Sequence, residues 1–527
     1  MSQTGDMRKI PQYILPSLSQ MVFLIVFIAC FTGSGSFLLG DGDTGYHIRA
    51  GEIILKDLAV PRHDPFSFIT PPIPWTAHEW LSEVLMAIVH KALGIPGIVV
   101  FFALLLSTTY WLLFRWIRAR RRNILMDLLV LILVVLSSRI HWLARPHIFS
   151  LFLVVLLYQI LILHQEDRGN YLYVIPPMMI FWVNLHGGFI VGFLFMGIFL
   201  SGYFLEYLSS KEEERPVFAT KGKQISMVFA ASVLAACVNP FGVHALLFPF
   251  RTVSNTYLMD NIQEFMSPNF HEYVPYRYLL LFLIGMLGVS RARLNFGELA
   301  LALLFTSMSL YSSRYIPLAA IVYAPILSKY GDILIRQSEA RWSRLLRDRS
   351  LVYERIEVSA KGFLIPLLVL GVIIALSTGN IPIQFPKKIA PTAAVNFLRS
   401  NPLQGNMFNN DEIGDYVIYW LYPNYKVFMD GRSDMYGRSD MYGESILKEY
   451  SKVIDIEAGW KDVLDKYDID YIFFYTNSVL VRHLLTDEGW RRIYVDNVAS
   501  IFLRNTPGNA ESIVRFLPRG EARTPGR

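Results

Sequence analysis

Apolar runs near the roughly 20 residues needed to cross a bilayer as a helix recur along the first 380 positions. They fall at 19–39, 95–114, 124–140, 147–163, 171–185, 187–207, 225–245, 277–290, 296–312, 314–329 and 362–379. Several are short or interrupted by Pro, Gly or His. The pattern predicts a polytopic α-helical membrane protein with about eleven transmembrane helices. Beyond 380 the pattern changes. Residues 391–400 predict a helix, 425–429 (YKVFM) and 471–475 (YIFFY) short buried strands, and 479–485 another helix. Residues 492–504 alternate around Asp496-Asn497, as a β-hairpin does. The expected organisation is a transmembrane domain at 1–380 with a first external loop at 41–94, followed by a soluble α/β domain at 381–527.

Charge gives the expected orientation. With a cytoplasmic N-terminus, the inside segments are 115–122 (RWIRARRR), the turn with Arg168, 211–223, 291–293 and 329–361, all basic. The alternate set, 41–94, 141–146, 184–188, 240–276 and 312–314, holds fewer cations and more His, Trp, Asp and Asn. An odd number of spans then puts 380–527 on the extracytoplasmic face. Composition agrees with a bilayer as solvent, since 53% of the 527 residues are hydrophobic and 17% charged, against about 25% charged in soluble proteins. The net charge of +6 sits in short loops, where it is a topology signal and argues against nucleic acid as a partner. Cys30 and Cys237, the two cysteines, lie inside apolar runs and offer neither a disulfide framework nor a cysteine metal site. Arg8 and Lys9 precede an apolar run without a small-residue cleavage site, so a retained first span is expected over a signal peptide.

Polar residues crowd the first external loop, where groups beside a membrane tend to be functional. It opens as Gly40-Asp41-Gly42-Asp43-Thr44-Gly45-Tyr46-His47 and runs through Asp64-Pro65-Phe66-Ser67 to Trp75-Thr76-Ala77-His78-Glu79-Trp80-Leu81. The GxGxxG spacing at 40–45 follows a span instead of a strand, and its aspartates would repel a pyrophosphate. His78-Glu79-Trp80-Leu81-Ser82 lacks the second histidine of a zinc-protease helix. What remains is an Asp-x-Asp with His47 four residues beyond Asp43, a spacing suited to a general base or to carboxylates that hold a metal and its phosphate. Farther along, GRSDMY stands twice in tandem at 431–436 and 437–442, which predicts a local duplication in a surface loop.

These elements resemble the GT-C superfamily of membrane glycosyltransferases, and within it a bacterial group with D-x-x-(W/Y)-H, DPFS and W-x-x-x-E-W-L elements. Here those are 43–47, 64–67 and 75–81. The resemblance continues through Arg145-Pro146-His147, the stretch 182–188 with Asn184 and His186, 239–242, Glu264-Phe265-x-Ser267-Pro268, and 426–432. It implies a GT-C-like fold in a bacterial inner membrane and a polyprenyl-phosphate-sugar donor, with a glycan, lipid or protein acceptor. It also aligns its acidic element on Asp43 in preference to Asp41. On this reading Asp43 or Asp41 is the base, with His47 beside it, and the same aspartates are candidate ligands of a divalent cation, magnesium or manganese. Asp64, His78, Glu79, Arg139, Arg145, His147, Asn184, His186, Arg251, Glu264 and Arg314 are candidate substrate-binding residues, the arginines for the lipid phosphate.

Each residue has a plainer role to weigh. The aspartates could cap the helix starting near Tyr46, Asp64 could form a turn before Pro65, and the outer arginines could snorkel. His78 and Glu79 could belong to an interfacial belt with Trp75 and Trp80. Two other functional classes stand beside the transferase, a flippase or transporter of lipid-linked sugar and a non-catalytic assembly protein for surface polysaccharide.

Overall fold

The computed structural model describes residues 16–31, 37–120, 123–272, 274–290, 293–359, 362, 364–377, 383–437 and 445–516. Residues 438–442 of the second hexapeptide lie outside them. In chain order the helices begin with α1 (Leu18–Cys30), α2 (Asp43–Asp57), α3 (Trp80–Arg118), α4 (Ile124–Ser138), α5 (His147–Gln165), α6 (Ile175–Leu185) and α7 (Ile190–Ser209). They continue as α8 (Arg215–Ala236), α9 (Val243–Ser254), α10 (Thr256–Asn261), α11 (Pro275–Val289), α12 (Phe296–Tyr311), α13 (Ile316–Gln337), α14 (Arg341–Ser359) and α15 (Leu364–Ser377). The C-terminal part adds α16 (Thr392–Ser400), β1 (Asn406–Asn409), α17 (Asp411–Leu421), α18 (Ser433–Tyr436), α19 (Ile446–Ile454) and α20 (Trp460–Lys466). Last come β2 (Ile469–Tyr475), α21 (Val479–Leu484), β3 (Trp490–Val495), β4 (Ala499–Arg504) and α22 (Ala510–Phe516).

Among the described residues, five helical stretches are long and apolar enough to cross a membrane: Trp80–Arg118, Ile124–His141, His147–Gln165, Gly187–Ser209 and Ser313–Gln337. Four more apolar stretches are shorter, Leu18–Cys30, Leu172–Leu185, Pro275–Val289 and Phe296–Tyr311. The chain is a membrane protein. Two runs differ from the expected pattern for local reasons. The run at 225–245 is not continuous, because α8 stops at Ala236 and α9 starts at Val243. Between them Asn239 accepts from Phe241 N and donates to the Ala236 and Gly242 carbonyls, while Pro240 brings no N–H to continue the ladder. In α3 the helix kinks at Gly94, whose φ of 64° suits a residue without Cβ.

The chain folds as two compact units. The first, here the helical unit, holds 1–38, 93–249 and 259–383. Its starts are written in the sequence: Ser17 and Gln20 form a capping box on α1, Asn123 caps α4, and Asn295 with Glu298 caps α12. Charges inside it are paired. Asp127 takes Arg118 at 2.9 Å and Ser328 at 2.5 Å, and Glu298 takes Lys329 and Tyr330, both at 2.7 Å.

The second unit is composite, built from 39–92, 250–258 and 384–527. The first external loop, which sequence order attached to the transmembrane part, is thus joined to the C-terminal segment. Its sheet has the order β1-β2-β4-β3, with β1 parallel to β2 and the other pairs antiparallel. The β3–β4 hairpin turns on Asp496, whose carboxylate accepts from Val498 N and Ala499 N, both at 2.7 Å. Residues 425–429 do not form the expected strand. Val427 makes a single parallel bridge to Ser67, and the amides around it are met by the Asn409 side chain, which accepts from Phe428 N and donates to Met429 O. The strand that flanks β2 on the side away from β4 is β1, Asn-Met-Phe-Asn, whose polar ends hid it.

Candidate active site

Asp43 is the first residue of α2, with Gly42 at the N-cap. The helix packs on α17 through its glycines. A Cβ on Gly42 would stand 2.8 Å from Asp415 Cβ, and one on Gly45 would stand 2.8 Å from Tyr419 Cβ. Gly42 and Gly45 of the G-x-G-x-x-G spacing therefore serve close helix contact. This contact brings Asp415 of α17, fully buried, against Asp43. Gly431 closes the pair. Its N–H donates to Asp415 Oδ1 at 3.0 Å, and a Cβ there would lie 2.3 Å from Asp43 Oδ1. Burial first, then Asp43 and Asp430, push the Asp415 carboxyl well above the usual carboxylate range. A carboxyl that resists ionisation beside a second carboxylate is the kind of pairing proton-transfer sites use. Spacing did not reveal Asp415; its signal was one acid interrupting the apolar stretch 413–421.

His47 is buried four residues along α2, where its ring nitrogens face two glutamates at the start of α3. Nδ1 lies 3.4 Å from Glu83 Oε1 and Nε2 lies 3.9 Å from Glu79 Oε2. Glu79 also stands 3.7 Å from His78 Nε2, whose other nitrogen donates to Thr76 O. His47, His78 and Glu79 thus form one group with Glu83. Among the described residues no three His, Cys, Asp or Glu side chains are grouped to hold a metal ion.

Asp64 sits in a different environment. Its oxygens accept from Phe66 N and Ser67 N, both at 3.0 Å, which folds the DPFS turn. Arg432 Nη2 donates to Asp64 Oδ1 at 2.6 Å while the same guanidinium grips Asp430 through Nε (2.8 Å) and Nη2 (2.6 Å). Trp75, Phe66 and Tyr46 surround that guanidinium, with ring centres 4.6, 4.9 and 5.8 Å away. Tyr436 donates to Asp430 at 2.9 Å. Burial alone would lower the Arg432 pKa, and Asp430 and Asp64 raise it well above the usual value. The first hexapeptide copy, through Arg432 and Tyr436, therefore occupies this centre.

The helical unit gathers a second group. Arg145 donates to Glu264 at 2.6 Å, and Arg314 lies over the Phe265 ring. Burial would raise the Glu264 carboxyl, but Arg145, His141 and Arg314 hold it well below the usual range. His147 donates to His141 O at 2.7 Å, and its ring centre lies 6.4 Å from that of His186. His186 Nδ1 accepts from Ser150 Oγ (2.7 Å) and Gly188 N (2.9 Å). Arg145, His147, His186, Glu264 and Arg314 thus come together. Asn184 spans the Ile180 and Val238 carbonyls, and Arg139 stacks on Phe37. Arg251 is exposed on the part of α9 that belongs to the composite unit.

The fold has a counterpart among solved structures. It is similar to the crystal structure of the Archaeoglobus fulgidus oligosaccharyltransferase in the apo form, with a TM-score of 0.53 and 11% identity over 87% of this chain and 69% of that one. No protein-family profile matches the sequence, and no curated protein matches it.

Proposed function

We propose that the protein is a membrane glycosyltransferase that moves a sugar from a polyprenyl-phosphate carrier to an extracytoplasmic glycan, lipid or protein. Two things support this reading, the GT-C-type fold and a buried Asp43 held by Asp415 at the start of the first external loop. The second carries it. Asp43 takes the proton of the acceptor hydroxyl as the acceptor oxygen bonds to the anomeric carbon. The bond from that carbon to the phosphate oxygen breaks, its electron pair leaves with the lipid phosphate, and the anomeric configuration inverts. Arg139, Arg145, Arg251 and Arg314, with His147, are the candidates to meet the phosphate charge. Were a divalent cation to take part, Asp41 and Asp43 would hold it and it would neutralise that charge.

Eleven crossings, a cytoplasmic N-terminus and an extracytoplasmic C-terminal domain in a bacterial inner membrane belong to the same proposal. Deleting the gene and comparing surface glycans with lipid-linked sugar pools tests it. The donor should accumulate while one glycan loses a sugar, and Asp43→Asn expressed at the normal level should not restore it. Unchanged glycans and pools on deletion would sink the reading.

A further inference from the structure

Helix α14, RWSRLLRDRSLVYERIEVS, is folded inside out for a helix in water. The positions that face the rest of the helical unit are polar: Ser343 is fully buried, Ser350 is 4% exposed, and Arg347, Glu354 and Glu357 are half-buried. Together with Leu346 they form one stripe at steps of three and four. The opposite side is apolar, with Leu345 55%, Val352 50%, Trp342 47% and Tyr353 43% exposed. Arg341, Arg344, Arg349 and Arg355 are also exposed, against a single exposed acid, Asp348.

The polar stripe fixes where the helix lies. Ser350 Oγ accepts from Ile124 N and Leu346 O from Asn123 Nδ2, at the start of α4. Arg347 donates to the Ile335 and Ser338 carbonyls at the end of α13. Glu354 accepts from Arg118 at the end of α3, and Glu357 from Leu18 N at the start of α1. These bonds satisfy the polar groups left over at helix ends. α14 therefore runs across the ends of four apolar helices.

We infer that α14 is an interfacial helix that binds the anionic phospholipid of the leaflet it lies on, with Leu345 and Val352 in the acyl boundary and Arg341, Arg344 and Arg349 on lipid phosphates. Charge complementarity selects lipid, because water alone would leave the apolar row unmatched and a neutral leaflet would offer Arg341, Arg344 and Arg349 no net negative charge to match. This does not depend on the proposed reaction.

The test uses the full chain with Cys237→Ser, a fluorophore on Val352→Cys, and a reference label on the exposed Glu213→Cys, in the basic segment 211–223 expected on the same face as α14. The protein is placed in phosphatidylcholine vesicles with or without phosphatidylglycerol. The Val352→Cys label should resist an aqueous quencher relative to the reference, and phosphatidylglycerol should increase that protection. Replacing arginines 341, 344 and 349 by glutamine should remove the gain that phosphatidylglycerol brings, each arginine contributing about fivefold to the attraction for anionic lipid. Quenching as ready as at the reference, or the same in both lipids, overturns the inference. So does protection in detergent that appears on adding the cell's soluble fraction, which would give the face to a protein. If the glutamine variant fails to insert, the two-lipid comparison on the arginine-bearing chain still decides.

Discussion

Two carboxylate centres in the composite unit are built from the same pieces of chain and solved in opposite ways. Asp64 and Asp430 share the Arg432 guanidinium, with backbone amides and Tyr436 on the remaining lone pairs. Asp43 and Asp415 face each other across Gly431, one residue from Asp430. The first centre joins the DPFS turn to residues 430–436 through an ion network in which every carboxylate oxygen is met, though Arg432 Nη1 is left without a hydrogen-bond partner among the described residues. The second places like charges together and accepts a raised Asp415 pKa. Satisfied networks hold structure, whereas like-charge pairs in burial cost stability and are retained where proton chemistry needs them.

The sharpest contrast lies between loss of activity and loss of fold. Asp43→Asn should reduce sugar transfer in isolated membranes by about 100-fold to 10,000-fold, with the thermal midpoint unchanged or raised because a repulsion is gone. Asp41→Asn should do far less. If Asp43→Asn transfers normally while Asp41→Asn does not, the base is Asp41, and if both are active the centre is not catalytic. Arg432→Met should show the converse by leaving two buried carboxylates uncompensated. It should lower stability by about 3–5 kcal/mol, read as a fall in midpoint and in membrane-inserted yield. A midpoint close to the parent's would mean the network is not what joins the segments.

Gly431 links the centres, so Gly431→Ala tests both. The new methyl meets Asp43 Oδ1 at 2.3 Å and Asp415 Oδ2 at 3.0 Å, and overpacking of this kind costs about 1–3 kcal/mol. Transfer should fall with stability. Normal transfer by this variant would show that the carboxylates need not touch. Asp415→Asn makes a smaller point about pH. A carboxyl whose folded pKa is raised stabilises the fold below its unfolded pKa and loses that contribution as pH rises through the folded value. Above that range the native protein holds a charge that asparagine lacks. The variant's stability advantage, followed by midpoint against pH, should therefore grow from acid to neutral. A pH-independent difference would remove the raised pKa.

How far the sequence could be read depended on whether a residue's partner lies close in the chain. Local signals sufficed for α16, β2, α21 and the hairpin turning at Asp496, where period and turn residues agree. They failed where a side chain replaced a ladder, as Asn409 does for Phe428 and Met429, and where one polar turn at Asn239 broke an apolar run. The candidate site residues at 41–47 were singled out because polar groups beside a span are costly. Asp415 and Arg432 were harder to place. Their partners are more than 360 positions away, at Asp43 and Asp64, and no spacing rule reaches that far.

The smallest expected effect concerns the tandem hexapeptide. Removing residues 431–436 or 437–442 yields the same protein, with Asp430 still followed by Gly-Arg-Ser-Asp-Met-Tyr-Gly, so every group in the Arg432 network is regenerated. The glycine after the tyrosine is regenerated too, which matters because Gly437 O accepts from Asn255 and a Cβ there would meet Leu258 at 2.9 Å. A single residue, Glu444, then joins that glycine to Ser445, the cap of α19. Such a link reaches roughly 7 Å, and α18 already lies against α19. Shortening the connection should leave stability equal or raise it by no more than about 2 kcal/mol. Full membrane insertion and an unchanged midpoint are expected, and loss of the folded protein would make the second copy structural. The register has its own check. Only the first copy follows Asp430, and the equivalent position before Arg438 is Tyr436, which cannot pair with a guanidinium as a carboxylate does. Arg438→Met should therefore leave the midpoint where it is while Arg432→Met lowers it. If the two variants behave alike, either copy can fill the centre, and the contrast between the two carboxylate sites rests on Asp64 and Asp430 alone.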